Sequence, residues 1–382
     1  MNWKTLFLFI ATAVVLTTGT AYADPALIGS WQSGDGDRYD ILDGFKPNVG
    51  AVITYEDLEA SDVGSWSIDS VSGNLKIGYW NDDPYTISNG GKTLQWGSTV
   101  YQKVSELRTD AIVDLKTDPS AFIDELTKFS WSFYSTDINY AEFTKTFSST
   151  EGVRTRFDNE NNLDDIRSWG VASGALKIGS AVYLEARITP EYFIAVDDDD
   201  DMIVLHRGNE RPEALRTELA VAREAFLKAL TTGAWQRPSY SGAYIYRYRP
   251  LEGDLKGLRF QEEDGKLSSV NTWEFSVATG AFKLGYTEYV GGLVVGSLLV
   301  FVEEDGDQTS FYRDPFVEQK HFTSADTRTI AVSERTASDL VEAIGRQLAL
   351  GDTFYLFEFN ADGRTGYVHE WTSDPFQITG ET

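Results

Sequence analysis

The sequence has no cysteine, and only three of its 382 residues are histidines. The absence of cysteine excludes disulfide bonds, thiolate nucleophiles, and zinc or iron–sulfur sites that depend on cysteine ligands. The histidines, His206, His321 and His369, lie in three separate segments, and no pair has the HExxH spacing of a zinc site. We therefore expect each histidine to be structural or exposed.

Basic residues are also scarce. Lys and Arg together number 33 against 59 Asp and Glu, which gives a formal net charge of −26. A field of that sign repels phosphate backbones and anionic headgroups, so nucleic acid is not expected as a partner. Glycine-rich phosphate loops and the GxSxG turn of serine hydrolases are missing as well. The sequence therefore offers no catalytic motif, although a carboxylate pair acting on polysaccharide stays open as an alternative.

The first 23 residues have the pattern of a secretory signal peptide. Lys4 precedes an apolar run from Leu6 to Leu16, and Ala21-Tyr22-Ala23 provides a small-x-small cleavage site. This run is shorter than the roughly 20 residues of a spanning helix, and the most apolar later run, Leu293 to Val302, has the length of a strand. We expect a secreted or periplasmic chain, cleaved near Ala23, with no membrane span after cleavage.

A six-residue pattern occurs three times in the chain. The copies are Gly73-Asn74-Leu75-Lys76-Ile77-Gly78, Gly174-Ala175-Leu176-Lys177-Ile178-Gly179 and Gly280-Ala281-Phe282-Lys283-Leu284-Gly285, spaced 101 and 106 residues apart. Two tryptophans precede each copy: Trp31 and Trp66, Trp131 and Trp169, and Trp235 and Trp273. An internal repeat of this length predicts similar domains in tandem.

Short runs in each unit alternate apolar with polar residues and are separated by Gly, Asn and Asp, which predicts β-strands. We expect every unit to be an antiparallel meander or small up-and-down barrel of about six to eight strands, with large aromatic side chains inside. In the repeated pattern the apolar residues should face inward, the lysine should face solvent, and the first glycine should take the positive φ of a hairpin turn.

Helical periodicity occurs only between the units, over 115–128, 213–230 and 333–350. Pro119 and Pro212 lie where the first turn of a helix tolerates proline. Asp118, just before Pro119, is the expected N-cap of the first helix. The predicted organisation is a signal peptide (1–23), β unit 1 (24–104), a helical connector (105–128), β unit 2 (129–210), a second connector (211–232), β unit 3 (233–316), a third connector (317–350) and a partial fourth unit (351–382).

The partial fourth unit resumes as a strand from Phe354 to Phe359, turns at Asp362-Gly363 and continues to Trp371. A half meander leaves unpaired strand edges. It either caps the third unit, completes the first unit, or adds to the sheet of another molecule, which makes residues 351–382 a candidate for self-association.

The openings of the units resemble those of lipocalin-like (calycin) barrels, in particular bacterial lipocalin-like domains. Gly29-Ser30-Trp31 and Gly233-Ala234-Trp235 match the GxW motif of the first strand, whereas Phe129-Ser130-Trp131 lacks the glycine. The family's Thr-Asp-Tyr turn and its late arginine packing on the tryptophan are not evident. The resemblance implies a small barrel per unit, the three tryptophans as structural plugs, and a small apolar or sugar-like ligand.

An acidic run and a tyrosine ladder are the candidate binding residues. Asp197, Asp198, Asp199, Asp200 and Asp201 offer the oxygen ligands that calcium prefers, although a solvated acidic hairpin turn explains the same run. Tyr240, Tyr244, Tyr246 and Tyr248 share one face of a strand, where they would stack sugar rings if exposed or fill the core if buried.

These observations predict a mostly β, secreted or periplasmic repeat protein that acts by binding rather than by catalysis. Its partner would be an extracellular glycan, a small apolar ligand or a protein, bound through similar surfaces on the three units. The alternatives are a structural protein that self-assembles by strand donation from residues 351–382, and a secreted hydrolase or lyase acting on polysaccharide or lipid. No cofactor is expected, apart from calcium if the acidic run binds it.

Overall fold

The computed structural model describes most of the chain between Pro25 and Arg313, together with four strands of the C-terminal region. The described ranges are 25–46, 48–56, 59–78, 82–107, 113–134, 138–199, 201–232, 234–239, 242–250, 255–263, 266–313, 328–331, 349–350, 353–359 and 365–372. The predicted signal peptide lies outside the described residues, and so does most of the helix predicted over 333–350.

Unit 1 is an eight-stranded antiparallel sheet whose strand order is β5-β4-β3-β2-β1-β8-β7-β6. Leu75 of the edge strand β5 forms a single isolated bridge with Asp83, which lies two residues before the other edge strand, β6. The strands are β1 (Gly29–Ser33), β2 (Arg38–Lys46), β3 (Val49–Glu56), β4 (Glu59–Ile68), β5 (Leu75–Ile77), β6 (Tyr85–Ser88), β7 (Thr93–Trp96) and β8 (Thr99–Ser105).

Unit 2 is an up-and-down barrel that closes on itself through the pairing of β14 with β15. A short strand, β9, adds to β15 outside the ring of eight. The elements are β9 (Val113–Asp114), α1 (Pro119–Lys128), β10 (Phe129–Ser132), β11 (Ile138–Lys145), β12 (Glu151–Asp158), β13 (Leu163–Ala172), β14 (Ala175–Ile178), β15 (Ala181–Ile188), β16 (Tyr192–Asp197) and β17 (Met202–Glu210).

Unit 3 repeats this plan, with the sixth strand of the barrel divided at Val290 into β24 and β25. β24 pairs with β23, and β25 pairs with β26 and with the added strand β18, so the barrel is nearly closed. The elements are β18 (Arg216–Glu218), α2 (Arg223–Thr231), β19 (Ala234–Ser239), β20 (Gly242–Pro250), β21 (Lys256–Glu263), β22 (Lys266–Phe275), β23 (Phe282–Leu284), β24 (Thr287–Tyr289), β25 (Gly291–Val295), β26 (Leu298–Val302) and β27 (Gln308–Arg313).

The mostly β fold in tandem units is as predicted, but both described helices are shorter than the sequence indicates. The helix predicted from Leu115 begins at Pro119, and the helix predicted from Glu213 begins at Arg223, so Pro212 is not in a first helical turn. The residues ahead of each helix instead join the barrel: the backbone N–H of buried Leu115 donates to Ala186 O at 2.9 Å. Here these residues pair with the sheet, although their apolar spacing is helical, because tertiary context overrides helix propensity. The predicted cap is present, since the Asp118 side chain accepts the N–H of Ala121 at 2.9 Å.

The repeated six-residue pattern behaves as predicted. Its apolar residues are buried in each copy, and Lys76, Lys177 and Lys283 are exposed. The first glycines have φ values of +73° to +77°, which side chains with a Cβ rarely adopt, so the hairpin turn explains why they recur.

The units pack face to face in the same way at both junctions. At the first, Ile53 of β3 joins Tyr192 and Ile194 of β16 in one buried cluster. At the second, Val153 of β12 joins Leu293 of β25 and residues of β26. In both cases the outer face of the third strand of one unit buries apolar surface against the seventh strand of the next.

The C-terminal strands form a separate four-stranded antiparallel sheet. Its order is β28-β31-β30-β29, where β28 is Arg328–Ala331, β29 is Ala349–Leu350, β30 is Thr353–Phe359 and β31 is Thr365–Thr372. The two strands predicted around the Asp362-Gly363 turn are therefore present as β30 and β31. All pairings described for these four strands are with one another.

Candidate functional site

Large side chains fill the barrel interiors. In unit 2, Trp131, Phe143 and Phe193 are each 0% exposed, and the rings of Trp131 and Phe193 lie 5.7 Å apart. In unit 3, Phe282 stacks on Phe301 with centroids 4.9 Å apart. These side chains pack the described parts of the interiors of units 2 and 3, which directs attention to the outer walls and the junctions.

The first tryptophan of every unit is held by the same two contacts. Its indole N–H donates to a carbonyl four or five residues upstream, at 2.7 Å for Trp31, 2.9 Å for Trp131 and 2.8 Å for Trp235. A cation from the last strand lies over the ring: Lys103 at 5.2 Å, Arg207 at 5.7 Å and Arg313 at 4.5 Å respectively. These cations cannot be recognised from the sequence, because only the sheet topology brings the last strand beside the first.

The second tryptophan of every unit faces a glycine on the neighbouring strand. Gly50 pairs with Trp66, Gly152 with Trp169 and Gly257 with Trp273. A Cβ on Gly50 would lie 2.4 Å from the Trp66 Nε1, and a Cβ on Gly152 would lie 2.8 Å from the Trp169 Nε1. Each glycine leaves space for an indole on the neighbouring strand. Comparing the sequences of the third strands of the three units would have shown that the glycine recurs.

The tyrosine ladder lies mainly within the core of unit 3. Tyr246 and Tyr248 are 6% and 3% exposed and belong to its hydrophobic cluster, and Tyr244 is partly buried against it. Burial raises the pKa of Tyr248 far above its usual value. Tyr240 lies outside the described residues. The described part of the ladder is thus placed for packing, with Tyr244 its most accessible member.

The acidic run forms the β16–β17 turn. The Asp197 carboxylate accepts the backbone N–H groups of Asp199 and Asp201 at 3.0 and 2.9 Å, while Asp198, Asp199 and Asp201 are exposed. Asp200 lies outside the described residues. Within the described residues no three His, Cys, Asp or Glu side chains are grouped as metal ligands. Calcium binding at this turn stays a prediction.

The junction of units 1 and 2 is filled and tightly bonded. Asp40, 2% exposed, accepts hydrogen bonds from the Ser30 hydroxyl and, at 2.6 Å, from the Tyr55 hydroxyl, and it pairs with Arg38 at 3.3 Å. From unit 2, the buried Arg187 guanidinium donates to the backbone carbonyls of Asp43 and Gly44. The charges meet partners within the junction, which marks it as structural.

Three tyrosines surround the Asp40 carboxylate at this junction. Burial raises the pKa of Tyr55, Tyr134 and Tyr192 well above the usual range, and the Asp40 charge raises it further. The hydroxyls therefore stay protonated and serve as hydrogen-bond donors rather than as bases.

The junction of units 2 and 3, in contrast, holds an open groove of about 690 Å³. Its first wall is the outer surface of β13 and β14 in unit 2, and its second wall is the β26–β27 turn of unit 3. The lining residues are Glu151, Gly152, Ser168, Trp169, Gly170, Val171, Ala172, Ala175, Lys177, Val182, Glu303, Gly306, Asp307, Gln308 and Thr309. Small side chains along β13 leave the space that the groove occupies.

Two contacts join the units that form the groove. The Thr146 hydroxyl donates to the Gln308 side chain at 3.1 Å, and the Phe157 ring meets the Tyr312 ring edge to face at 5.3 Å. The turn of unit 3 is also fixed, because the N–H of Glu303 donates to Asp307 O at 2.9 Å.

The electrostatics of the groove are acidic. Three carboxylates, Glu151, Glu303 and Asp307, line it together with a single cation, Lys177. In the described part of the chain no salt bridge joins these four groups to each other or to another residue. Charges without partners on a concave surface favour a ligand of complementary charge. This set cannot be recognised from the sequence, because its members come from two units.

Comparisons with known proteins add little. No family model matches the chain, and no curated protein matches it. Among solved structures, the chain has a faint likeness to a putative DNA polymerase III beta subunit from Eubacterium rectale ATCC 33656. The two are 7% identical, over 77% of this chain and 93% of that one, with a TM-score of 0.16. A likeness this low supports no conclusion about fold or function.

Over the described residues, no helix has the length and apolar character that crossing a bilayer requires.

Proposed function

We propose that this chain is a secreted or periplasmic, non-catalytic binding protein whose principal binding site is the groove between units 2 and 3. The groove carries the proposal: its volume of about 690 Å³ lies within the range of ligand sites in general. The leader pattern of residues 1–23 supports export, and the filled barrel interiors direct binding to the outside.

The charges in the groove indicate a cationic ligand. Glu151, Glu303 and Asp307 outnumber Lys177, and the net charge of −26 attracts cations to the whole surface. Ammonium or guanidinium groups are therefore the chemistry that the site recognises. Extracellular sources of such groups are basic peptide segments and unacetylated amino sugars, which fit the protein and glycan partners expected from the sequence.

We further propose that the three units are lipocalin-like barrels. The support is the cation over each first-strand tryptophan, the feature of that family that the sequence did not reveal. The small apolar ligand that the resemblance implied gains no support, because Trp131 and its counterparts are packed on all sides in filled cores.

The exposed lysines recur on all three units, since Lys76 and Lys283 occupy the same place on their sheets as Lys177. A lysine repels a cationic ligand, so this shared surface does not support similar binding by the three units. The carboxylates Glu151, Glu303 and Asp307 line the groove where units 2 and 3 meet. We therefore propose one principal site, at that junction, in place of the similar surfaces on three units that the sequence suggested.

Isothermal titration calorimetry tests this proposal on the purified chain lacking only the predicted signal peptide. The probes are the peptide Arg-Ser-Arg-Ser-Arg, its glutamate counterpart, a glucosamine tetramer and the N-acetylated form of that tetramer. We expect binding of the arginine peptide or the glucosamine tetramer, and none of their anionic or neutral counterparts. The cationic probe that binds shows whether the natural ligand is a basic peptide segment or an amino sugar. If neither does, or if the neutral glycan binds equally well, the proposal is wrong.

Matched variants assign the binding to the groove. Glu303→Gln or Asp307→Asn should each weaken binding of the cationic probe about two- to fivefold, as expected for removing one solvent-exposed ion pair. Lys177→Gln should strengthen it by a similar factor. Glu304→Gln changes the neighbouring exposed residue of the same turn, which does not line the groove, and should have a smaller effect. Equal effects of Glu303→Gln and Glu304→Gln would place the binding elsewhere.

A further inference from the structure

The floor of the groove between units 2 and 3 is the outer face of the unit 2 sheet, from β12 to β15. Gly170 of β13 pairs with Glu151 on one side and with Lys177 on the other. Lys177 in turn pairs with Val182 of β15. Because directly paired residues of an antiparallel sheet share a face, these positions form one row across the floor. The row ends in an apolar residue next to its only cation.

Val182 and its neighbour Leu184 make the β15 end of the floor an exposed apolar surface. They are 37% and 45% exposed, and Tyr183 between them packs against the core of unit 2, so both point outward. Continuing the register of β14 on β15 brings Leu184 beside Ala175, which also lines the groove. We call Ala175, Val182 and Leu184 the apolar strip.

The sheet itself does not require an apolar residue opposite the lysine. In unit 3 the corresponding lysine, Lys283, lies opposite an exposed carboxylate, Glu288. Opposite charges in such a pair stabilise a sheet. Unit 2 has Val182 in this place, which leaves apolar surface open to water beside the groove. Apolar surface next to a few charged groups is the usual composition of a ligand site.

Building on the cationic ligand proposed above, we propose that the groove recognises a basic peptide segment in which an aliphatic side chain lies close to an arginine or lysine. The carboxylates Glu303 and Asp307 bind the cation, and the apolar strip binds the aliphatic side chain. Of the two sources of cationic groups named above, only a peptide carries such a side chain. Lys177 repels a cation placed over the adjacent Val182, which favours one orientation of the peptide.

The expected size of the effect follows from the apolar area that is covered. Complete burial of a leucine side chain corresponds to roughly 10- to 150-fold in affinity. An open groove covers about half of such a side chain, so the expected gain is about 3- to 12-fold.

Isothermal titration calorimetry with two peptides of equal charge tests the proposal. The probes are Arg-Ser-Leu-Ser-Arg and Arg-Ser-Ser-Ser-Arg, and the protein is the chain lacking only the predicted signal peptide. We expect the leucine peptide to bind about 3- to 12-fold more tightly. Its binding should also have the more negative heat-capacity change, which is the signature of apolar burial.

Variants of the apolar strip assign the leucine contact. Val182→Thr combined with Leu184→Thr replaces exposed aliphatic groups by residues that still favour a strand. The ratio of the two peptide affinities should then fall to about one. The matched control is Val104→Thr on β8 of unit 1, where the valine is 51% exposed and distant from the groove. It should leave the ratio unchanged.

The outcomes separate this proposal from the one on which it rests. If neither peptide binds, cation binding itself is wrong, and the peptide assignment is overturned with it. If both bind equally well, the cationic site stands and the apolar contact is refuted. A leucine preference that persists in the Val182→Thr and Leu184→Thr double variant, as it does in Val104→Thr, would place the apolar contact elsewhere and overturn the proposal.

Discussion

Replacing Gly50 with alanine tests the pairing of glycine with tryptophan that all three units share. The Trp66 indole donates to the Leu42 carbonyl at 2.6 Å, and a Cβ on Gly50 would lie 2.1 Å from that oxygen and 2.4 Å from the Nε1. The new methyl group therefore falls between donor and acceptor. It has to break a buried hydrogen bond or move a strand.

The magnitude follows from two costs and one gain. Overpacking costs about 1–3 kcal/mol, and leaving a buried indole N–H without its acceptor costs about 1–3 kcal/mol more. Alanine in a strand returns about 0.5–1 kcal/mol relative to glycine. We expect Gly50→Ala to reduce the free energy of unfolding of unit 1 by about 1–5 kcal/mol.

Hydrogen exchange read by mass spectrometry on peptides of unit 1 measures this loss separately from the other units. The matched control is Gly64→Ala on the adjacent strand, where the nearest atom to the new Cβ is Gly78 Cα at 3.5 Å, an ordinary contact. It should be neutral or slightly stabilising. In a Trp66→Phe background Gly50→Ala should cost less, because the Nε1 clash is gone. If Gly50→Ala and Gly64→Ala behave alike, the reasoning is refuted.

Three further predictions concern a junction, the cation over a tryptophan, and two tyrosines. Arg187→Met removes the guanidinium that donates to Asp43 O and Gly44 O, and it should lower the free energy of unfolding by about 2 kcal/mol. Units 1 and 2 should then melt separately. The control Lys116→Met, at an exposed ion pair, should change the free energy of unfolding by less than about 1 kcal/mol. Arg313→Met removes the donor to Ala229 O (2.6 Å) and the cation over Trp235, so exchange in α2 should rise by about 10- to 100-fold; unchanged exchange would contradict the role of this contact. Burial raises the pKa of Tyr101 and of Tyr140 to about 12, so the stability that these phenols contribute is complete below the unfolded value of about 10 and is lost as the pH rises through about 12. In an absorbance titration, the variants Tyr101→Phe and Tyr140→Phe should each lack one of the tyrosines that titrate near pH 12. If the tyrosine lost in either variant is one that titrates near pH 10, the raised pKa is refuted.

The fold could be predicted to a large extent because its signals are local. Alternation of polar and apolar residues gave the strands, the Gly73, Gly174 and Gly280 turns gave the hairpins, and the recurrence of the pattern gave the tandem units. The helix starts could not be predicted from the same signals. Leu115 and Leu219 satisfy helical spacing but are buried against the sixth barrel strand, and only the closed barrel provides that alternative partner.

The candidate site could not be predicted, because its parts are distant in sequence. Glu151 and Lys177 meet Glu303 and Asp307 only when units 2 and 3 pack together. The cations over the tryptophans were missed for a similar reason: Arg207 lies 76 residues beyond Trp131. The acidic turn and the tyrosine ladder are conspicuous in the sequence because their residues are close together along the chain. Closeness along the chain does not show whether the side chains are exposed or whether they point at a common site.

The central claim is that the chain binds cationic groups in the groove between units 2 and 3. Hydrogen exchange with and without the arginine peptide tests it most directly, since it maps the contact over the whole chain. We predict that protection increases in peptides covering 168–177 and 303–309 and stays unchanged in the turn at 197–201. Protection elsewhere, or no change at saturating peptide, would contradict the account.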